Sequence, residues 1–278
     1  MQAILSKFES TLKHQLLNIK DSQIKEALEY SLLADGKRIR PLLVFAVASG
    51  NASLSDDAYL AACAIEMIHC YSLIHDDLPA MDDADYRRGI LASHKKFDEA
   101  TAILTGDALL TLAFKTLSKI KNENVSLMVN SLAEMSGING MILGQSYDIN
   151  NKSNNLKLVK ELYRLKTGCL FVSALTMGAL LVDKYNLIPD LKEIGFQMGY
   201  VFQIQDDILD YYNNFDITGK LANDNKNNKK TIIYHLGIKD TEKLLESEYN
   251  KLKLLINNLD DDYSMLENII IKLKLRRK

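Results

Sequence analysis

With only three prolines and thirteen glycines in 278 residues, the sequence offers few sharp breaks, and its apolar residues recur every three to four positions without convincing alternation. Strands are therefore not expected, and the fold class is all-α. Three cysteines, Cys63, Cys70 and Cys169, provide neither an even disulfide set nor a CxxC pair. Buried, reduced thiols and a cytoplasmic location follow as expectations. A formal net charge of -2 leaves no basic field for nucleic acid beyond the terminal Arg276, Arg277 and Lys278. The first residues, MQAILSKFESTLKH, carry charges where a signal peptide needs an apolar run. The longest uncharged stretch, Thr167 to Val182, falls short of the roughly 20 residues of a spanning helix. A soluble protein without a membrane span is expected. There is no Gly-x-Ser-x-Gly elbow, no Cys and His pair at nucleophile spacing and no Walker or dinucleotide glycine loop. Covalent catalysis has no support.

What is present in quantity is apolar helix and clustered charge. At 47% hydrophobic the chain can bury a large core, and one domain spanning 1–278 is expected. Residues 1–34 read as two helices with Asp21 or Ser22 as N-cap between them. Further helices are expected over 55–78, 99–121, 125–149, 156–182 with a kink at Gly168, and 193–212, with two or three more after 231. At the end of the 55–78 helix stands DDLPAMD, and Asp76, Asp77, Asp82, Asp83 and Asp85 put five carboxylates within ten residues. Such crowding requires a cation, and magnesium suits carboxylates that leave room for waters and phosphates. Pro79 breaks the helix, so Asp82 can return toward Asp76. Arg87 and Arg88 follow at once, and guanidinium forks grip phosphate. A second cluster, DDILD at 206–210, places Asp206 and Asp210 on one helix face. Gly195, Gly199, Gln203, Asp207 and Asp210 grade that face from small to acidic, like a cavity wall. The GKRIRP run sets Lys37 and Arg40 three apart. The ordinary readings stand beside these: a solvated turn for Lys37 and Arg40, core histidines for His69 and His75, and solvated acidic surface for the clusters.

Taken together, GKRIRP, DDLPAMD with RRG, KTG at 166–168 and FQIQDDILD resemble, in order and spacing, the signature set of the trans-isoprenyl diphosphate synthases, from about Leu33 to about Tyr234. The resemblance implies an isoprenoid synthase-type array of about ten or more helices around a central active-site cavity, magnesium as cofactor, and a homodimer. It implies that isopentenyl diphosphate condenses with an allylic diphosphate. Asp76, Asp82 and Asp206 would hold the metal ions, supported by Asp77, Asp207 and Asp210. Arg87, Lys166 and Lys220 would bind the allylic diphosphate. Lys37, Arg40, His69 and Arg88 would bind isopentenyl diphosphate, while Thr167 and Gln203 turn oxygens toward the reacting carbon. Tyr71 and Ser72 lie roughly 6 to 7.5 Å along the helix from the first aspartate, where a ring would floor the cavity. In the family an aromatic there, with the two-residue insertion of DDLPAMD, goes with a fifteen-carbon product. Gln145 and Asp148 resemble a GQxxD motif near the cavity, with structural and functional readings equally open. The sequence departs from the pattern at Asp35, Leu91 and Ala92, and in the polar 213–231 stretch, expected to be a mobile lid, which is one residue short. The rival readings are a geranyl or geranylgeranyl diphosphate synthase, a terpene cyclase, which would not need Lys37 and Arg40, and a catalytically silent helical partner subunit.

Overall fold

The computed structural model of the protein describes residues 1–49, 53–150, 155–218, 230–260 and 263–275, with the backbone alone for 213–218. In chain order the helices are α1 (Gln2–His14), α2 (Gln23–Leu32), α3 (Ile39–Ala48), α4 (Asp56–Asp76), α5 (Ser93–Lys96), α6 (Glu99–Leu117), α7 (Val125–Ser136) and α8 (Met141–Ile149). They continue with α9 (Leu156–Tyr163), α10 (Cys169–Leu180), α11 (Ile188–Thr218), α12 (Ile232–Leu236), α13 (Ile238–Asn257) and α14 (Ser264–Lys274). Ser22 caps α2 as expected, its hydroxyl accepting from Lys25 N at 3.3 Å.

The apolar α4 forms the centre, packed against α3, α6 and α10, and α11 lies between α10 and α13. Residues such as Ile65, Met67 and Ile68 are fully buried, which explains why α4 shows no polar face. By length and hydropathy α4 and α6 could each cross a bilayer, but 72% of the α4 segment and 44% of the α6 segment lie inside the fold. Cys63, Cys70 and Cys169 are buried and unbridged.

Three expected features differ in detail. The 125–149 segment is two helices, because Gly137 leaves helical geometry at ψ -159° and Gly140 at ψ -123°, where a glycine pair costs little. The 156–182 segment is interrupted by a π-helical turn, Arg164–Gly168, against which α11 packs so closely that a Cβ on Gly199 would lie 2.3 Å from Gly168 Cα. Finally, a minimal hairpin pairs β1 (Tyr86–Arg87) with β2 (Ile90–Leu91), where no strand was expected. Arg88 and Gly89 take φ of 54° and 81° in its turn, the two left-handed residues that a tight hairpin of this hand requires.

Candidate active site

The two acidic motifs face one cavity of about 1330 Å³, lined by α4, α8, α11 and the π turn. The first motif is shaped by the break at Pro79. Asp82 N donates to the Asp76 carbonyl at 2.9 Å and Ala84 N to the Asp77 carbonyl at 3.1 Å, folding the chain back on the helix end. Asp76 and Asp82 thereby reach the cavity together. Burial, reinforced by Asp82 and opposed by Lys166, raises the Asp76 carboxyl to about 6. A carboxylate at the negative end of a helix, beside another carboxylate, calls for a cation.

In the second motif Asp206, Asp207 and Asp210 line the opposite wall from within an unbroken helix, with Gln203 one turn earlier. Asp207 is held deeper. The Tyr163 hydroxyl and Ile232 N both reach its carboxylate, the latter at 3.3 Å, while burial pushes it up to about 7. Burial also raises Asp210.

Asp77 departs from its expected place among the metal ligands. Only 2% exposed, it accepts from Arg87 Nε at 2.9 Å and from Arg87 Nη2, and borders a separate small pocket behind the hairpin. Its task is to hold Arg87, which itself lines the main cavity. Among the described residues no group of three or more metal-ligating side chains converges on a point. Divalent ions held by fewer than three of these carboxylates would complete their shells with waters and phosphate oxygens, the habit of magnesium.

Lys37, Arg40, His69 and Arg88 gather beside this acidic half. Arg40 is half-buried, its guanidinium 5.0 Å over the Phe171 ring and its Nε buried without a hydrogen-bond partner, and desolvation lowers it to about 10. Desolvation, with the Arg40 charge, pushes His69 well below its usual range, and Arg88 Nη2 donates to neutral His69 Nε2 at 3.4 Å. Cations gathered at one end of a cavity, one of them with a buried unpartnered Nε, are suited to receive an anion. Of the non-glycine residues with positive φ among the described residues, Arg38, Asp83 and Arg88 lie in these motifs and only Asp183 lies elsewhere, so strain is concentrated where the site is assembled.

Lys166 and Thr167 reach the cavity from the π turn, and Lys166 Nζ pairs with Asp148 at 2.7 Å. That pairing gives the GQxxD resemblance a purpose, while Gln145 lines the cavity with both amide atoms buried and unpartnered. Tyr71 and Ser72 border the cavity one turn below Asp76. Tyr71 stands edge-on to His75 at 5.7 Å, and His75 Nε2 donates to the Ile103 carbonyl at 3.0 Å. The His75 ring lies directly over Gly106, where a Cβ would come within 2.1 Å of it. His75 was expected to be a hydrogen-bonded core residue; it is hydrogen-bonded but only half-buried, and it lines the cavity beside Tyr71. Lys220 and the rest of the expected lid over 219–229 lie outside the described residues.

Sequence reasoning missed Arg38, Glu66 and Tyr163. Arg38 shares the GKRIRP run with the two expected ligands, and nothing in the run shows that it turns inward to Glu66 at 2.8 Å. Glu66, as the one acidic residue inside a buried apolar helix, was the available signal.

An all-helical array that directs two acidic motifs and a basic pocket into one cavity defines the isoprenoid-synthase class of fold. Residues 21–268 match the polyprenyl synthetase family, and the chain belongs to that family. It is 42% identical over 262 residues to farnesyl diphosphate synthase of Micrococcus luteus, covering 90% of this chain and 89% of the relative. To farnesyl diphosphate synthase of Escherichia coli it is 40% identical over 249 residues, 86% of this chain and 82% of that protein. The structure of a geranyltransferase from Helicobacter pylori complexed with magnesium and isoprenyl diphosphate superimposes with a TM-score of 0.86 at 32% identity, covering 99% of this chain and 95% of that one.

Proposed function

We propose that the protein joins isopentenyl diphosphate head-to-tail to dimethylallyl diphosphate and then to geranyl diphosphate, releasing inorganic diphosphate each time and ending at farnesyl diphosphate. The observation that carries this reading is the division of one cavity into an acidic half between α4 and α11 and a basic half around Arg40, His69 and Arg88. The acidic half takes a diphosphate with its metal; the basic half takes a second diphosphate without one. A terpene cyclase has no use for the second half.

Asp76, Asp82 and Asp206 would hold magnesium, with Asp210 beside them, and the bound cation supplies charge neutralisation of the leaving diphosphate. Arg87, fixed by Asp77, and Lys166, fixed by Asp148, add positive charge on the same side. The allylic carbon-oxygen bond breaks with its electron pair going to diphosphate. Thr167 and Gln203 turn oxygens toward the resulting cation, and the surrounding helices exclude water. Lys37, Arg40, His69 and Arg88 orient isopentenyl diphosphate so that its double bond supplies the electron pair of the new carbon-carbon bond. Loss of a proton to the departing diphosphate closes the step. Tyr71 limits the chain to fifteen carbons, since the ring, braced by His75, occupies the end of the hydrocarbon space.

The unit proposed is one catalytic domain spanning the chain, without a membrane span, in the cytoplasm, where buried thiols stay reduced. A homodimer is proposed as well. Ile103 and Leu104 on α6 are 44% and 54% exposed, and a second copy would cover them. The test is incubation with magnesium, isopentenyl diphosphate and either dimethylallyl or geranyl diphosphate, followed by chromatography of the dephosphorylated products. Farnesol from both starters supports the reading, a longer alcohol favours a geranylgeranyl synthase, and no magnesium-dependent product favours a silent partner subunit.

A further inference from the structure

Glu66 is a carboxylate among cations. It is 1% exposed, on the central helix α4, and borders the cavity at its basic end. Its Oε1 accepts from Arg38 Nη1 at 2.8 Å and lies 3.9 Å from Arg88 Nη2. Arg38 is also supplied by Glu9 at 2.8 Å and by the carbonyls of Ala34 at 3.0 Å and Leu32 at 3.2 Å, so it does not need Glu66 for want of partners. Arg40 and Arg88 are differently placed. Arg40 lines the same end of the cavity as Glu66, whose charge opposes the lowering that burial imposes on it, and among the described residues Arg88 reaches His69 at 3.4 Å and Glu66 at 3.9 Å. A buried carboxylate needs nearby positive charge to offset its lost hydration, and Arg38, Arg40 and Arg88, gathered at one end of the cavity, repel each other unless an anion stands among them.

We propose that Glu66 is the internal counter-charge of the second diphosphate site: it holds Arg40 and Arg88 in place before substrate arrives, and the incoming diphosphate takes over their charge. This rests on reading the basic half as a diphosphate site. Two opposing effects follow from one residue. Glu66 stabilises the unliganded protein, and it weakens diphosphate binding because it competes for the same cations. Glu9, which serves Arg38 from α1 and does not line the cavity, has only the first effect.

The test compares wild type, Glu66→Gln and Glu9→Gln by thermal unfolding and by titration with inorganic diphosphate in EDTA. Without divalent cations the acidic half repels the probe, and the basic half is left to bind it. Both variants are expected to melt below wild type. Glu66→Gln alone is expected to bind inorganic diphosphate roughly tenfold more tightly, with a correspondingly larger rise in melting temperature on binding. In turnover its KM for isopentenyl diphosphate falls while that for the allylic diphosphate stays put. Glu66→Asp draws the charge back by one methylene and is expected between wild type and Glu66→Gln, which keeps the test open should the latter fail to fold. Equal or weaker diphosphate binding by the Glu66 variants, with wild type still binding, overturns this inference alone. No binding of inorganic diphosphate by wild type overturns the diphosphate reading of the basic half along with it.

Discussion

The two acidic motifs reach the same cavity by opposite means. The first lies past the end of α4, where Pro79 stops the helix and backbone hydrogen bonds such as Asp82 N to the Asp76 carbonyl fold the chain back. The second sits inside the uninterrupted α11, where the helix itself spaces the carboxylates. Yet the division of labour is alike. In each motif one aspartate has a partner deep in the protein, Asp77 in Arg87 and Asp207 in Tyr163 and Ile232 N, while Asp76, Asp206 and Asp207 line the cavity and Asp77 does not. A run of aspartates is therefore not a run of equivalent ligands. The aspartate that anchors the motif and the one proposed to meet the metal are the same residue type side by side, and only the fold tells them apart.

That comparison can be broken most directly at its strongest contrast. Asp76→Ala and Asp206→Ala are each expected to lower kcat/KM on the order of 10³-fold, because each removes charge that acts on the leaving group. Asp207→Asn keeps the polar contacts to Tyr163 and Ile232 and is expected to lose only about tenfold; a loss as deep as that of Asp206→Ala would make the two neighbours equivalent. Next in size is Tyr163→Phe. It leaves Asp207 with the Ile232 amide alone, and denaturant unfolding should show a loss of about 1–3 kcal/mol with the magnesium requirement unchanged. A shifted magnesium requirement would place Tyr163 in the metal site instead of behind it.

Tyr71→Ala sharpens the account at the cavity floor, where the expected change is in product and not in rate. Chromatography should show alcohols longer than farnesol, and an unaltered distribution would remove Tyr71 as the floor. The smallest effect is that of pH. Burial raises Asp76 to about 6, and a carboxyl must give up its proton before it ligates a cation. The group is ionised at pH 8 and half protonated near pH 6, so the magnesium concentration for half-maximal rate should rise about twofold or more between them. A flat titration would mean that Asp76 is not a ligand.

How much of this was legible in the sequence follows from how local each signal is. DDLPAMD, RRG, KTG and DDILD are each compact in sequence, and the structure gathers Asp76, Asp82, Arg87, Arg88, Lys166 and Asp206 around one cavity, as the family resemblance implied. The hairpin was not legible, since two-residue strands have no periodicity and the left-handed Arg88 announces itself only in the backbone. The corner at Gly137–Gly140 was misread because the apolar pattern of α7 resumes in α8 as if the helix ran on. Least legible were pairs distant in sequence. Arg38 with Glu66 and Tyr163 with Asp207 are separated by 28 and 44 positions, and their partnership exists only once the helices pack. The same holds for Asp77, whose removal from the metal set depends on where the hairpin carries Arg87.

The measurement that bears most directly on this division is a magnesium titration of turnover in Asp76→Asn beside Asp77→Asn. Asp76→Asn should require far more magnesium and lose most of its rate, whereas Asp77→Asn, having released Arg87 but no metal ligand, should turn over more slowly at the wild-type magnesium requirement. An equal shift of the requirement in both would contradict the account, because Asp77 would then meet the metal as Asp76 does.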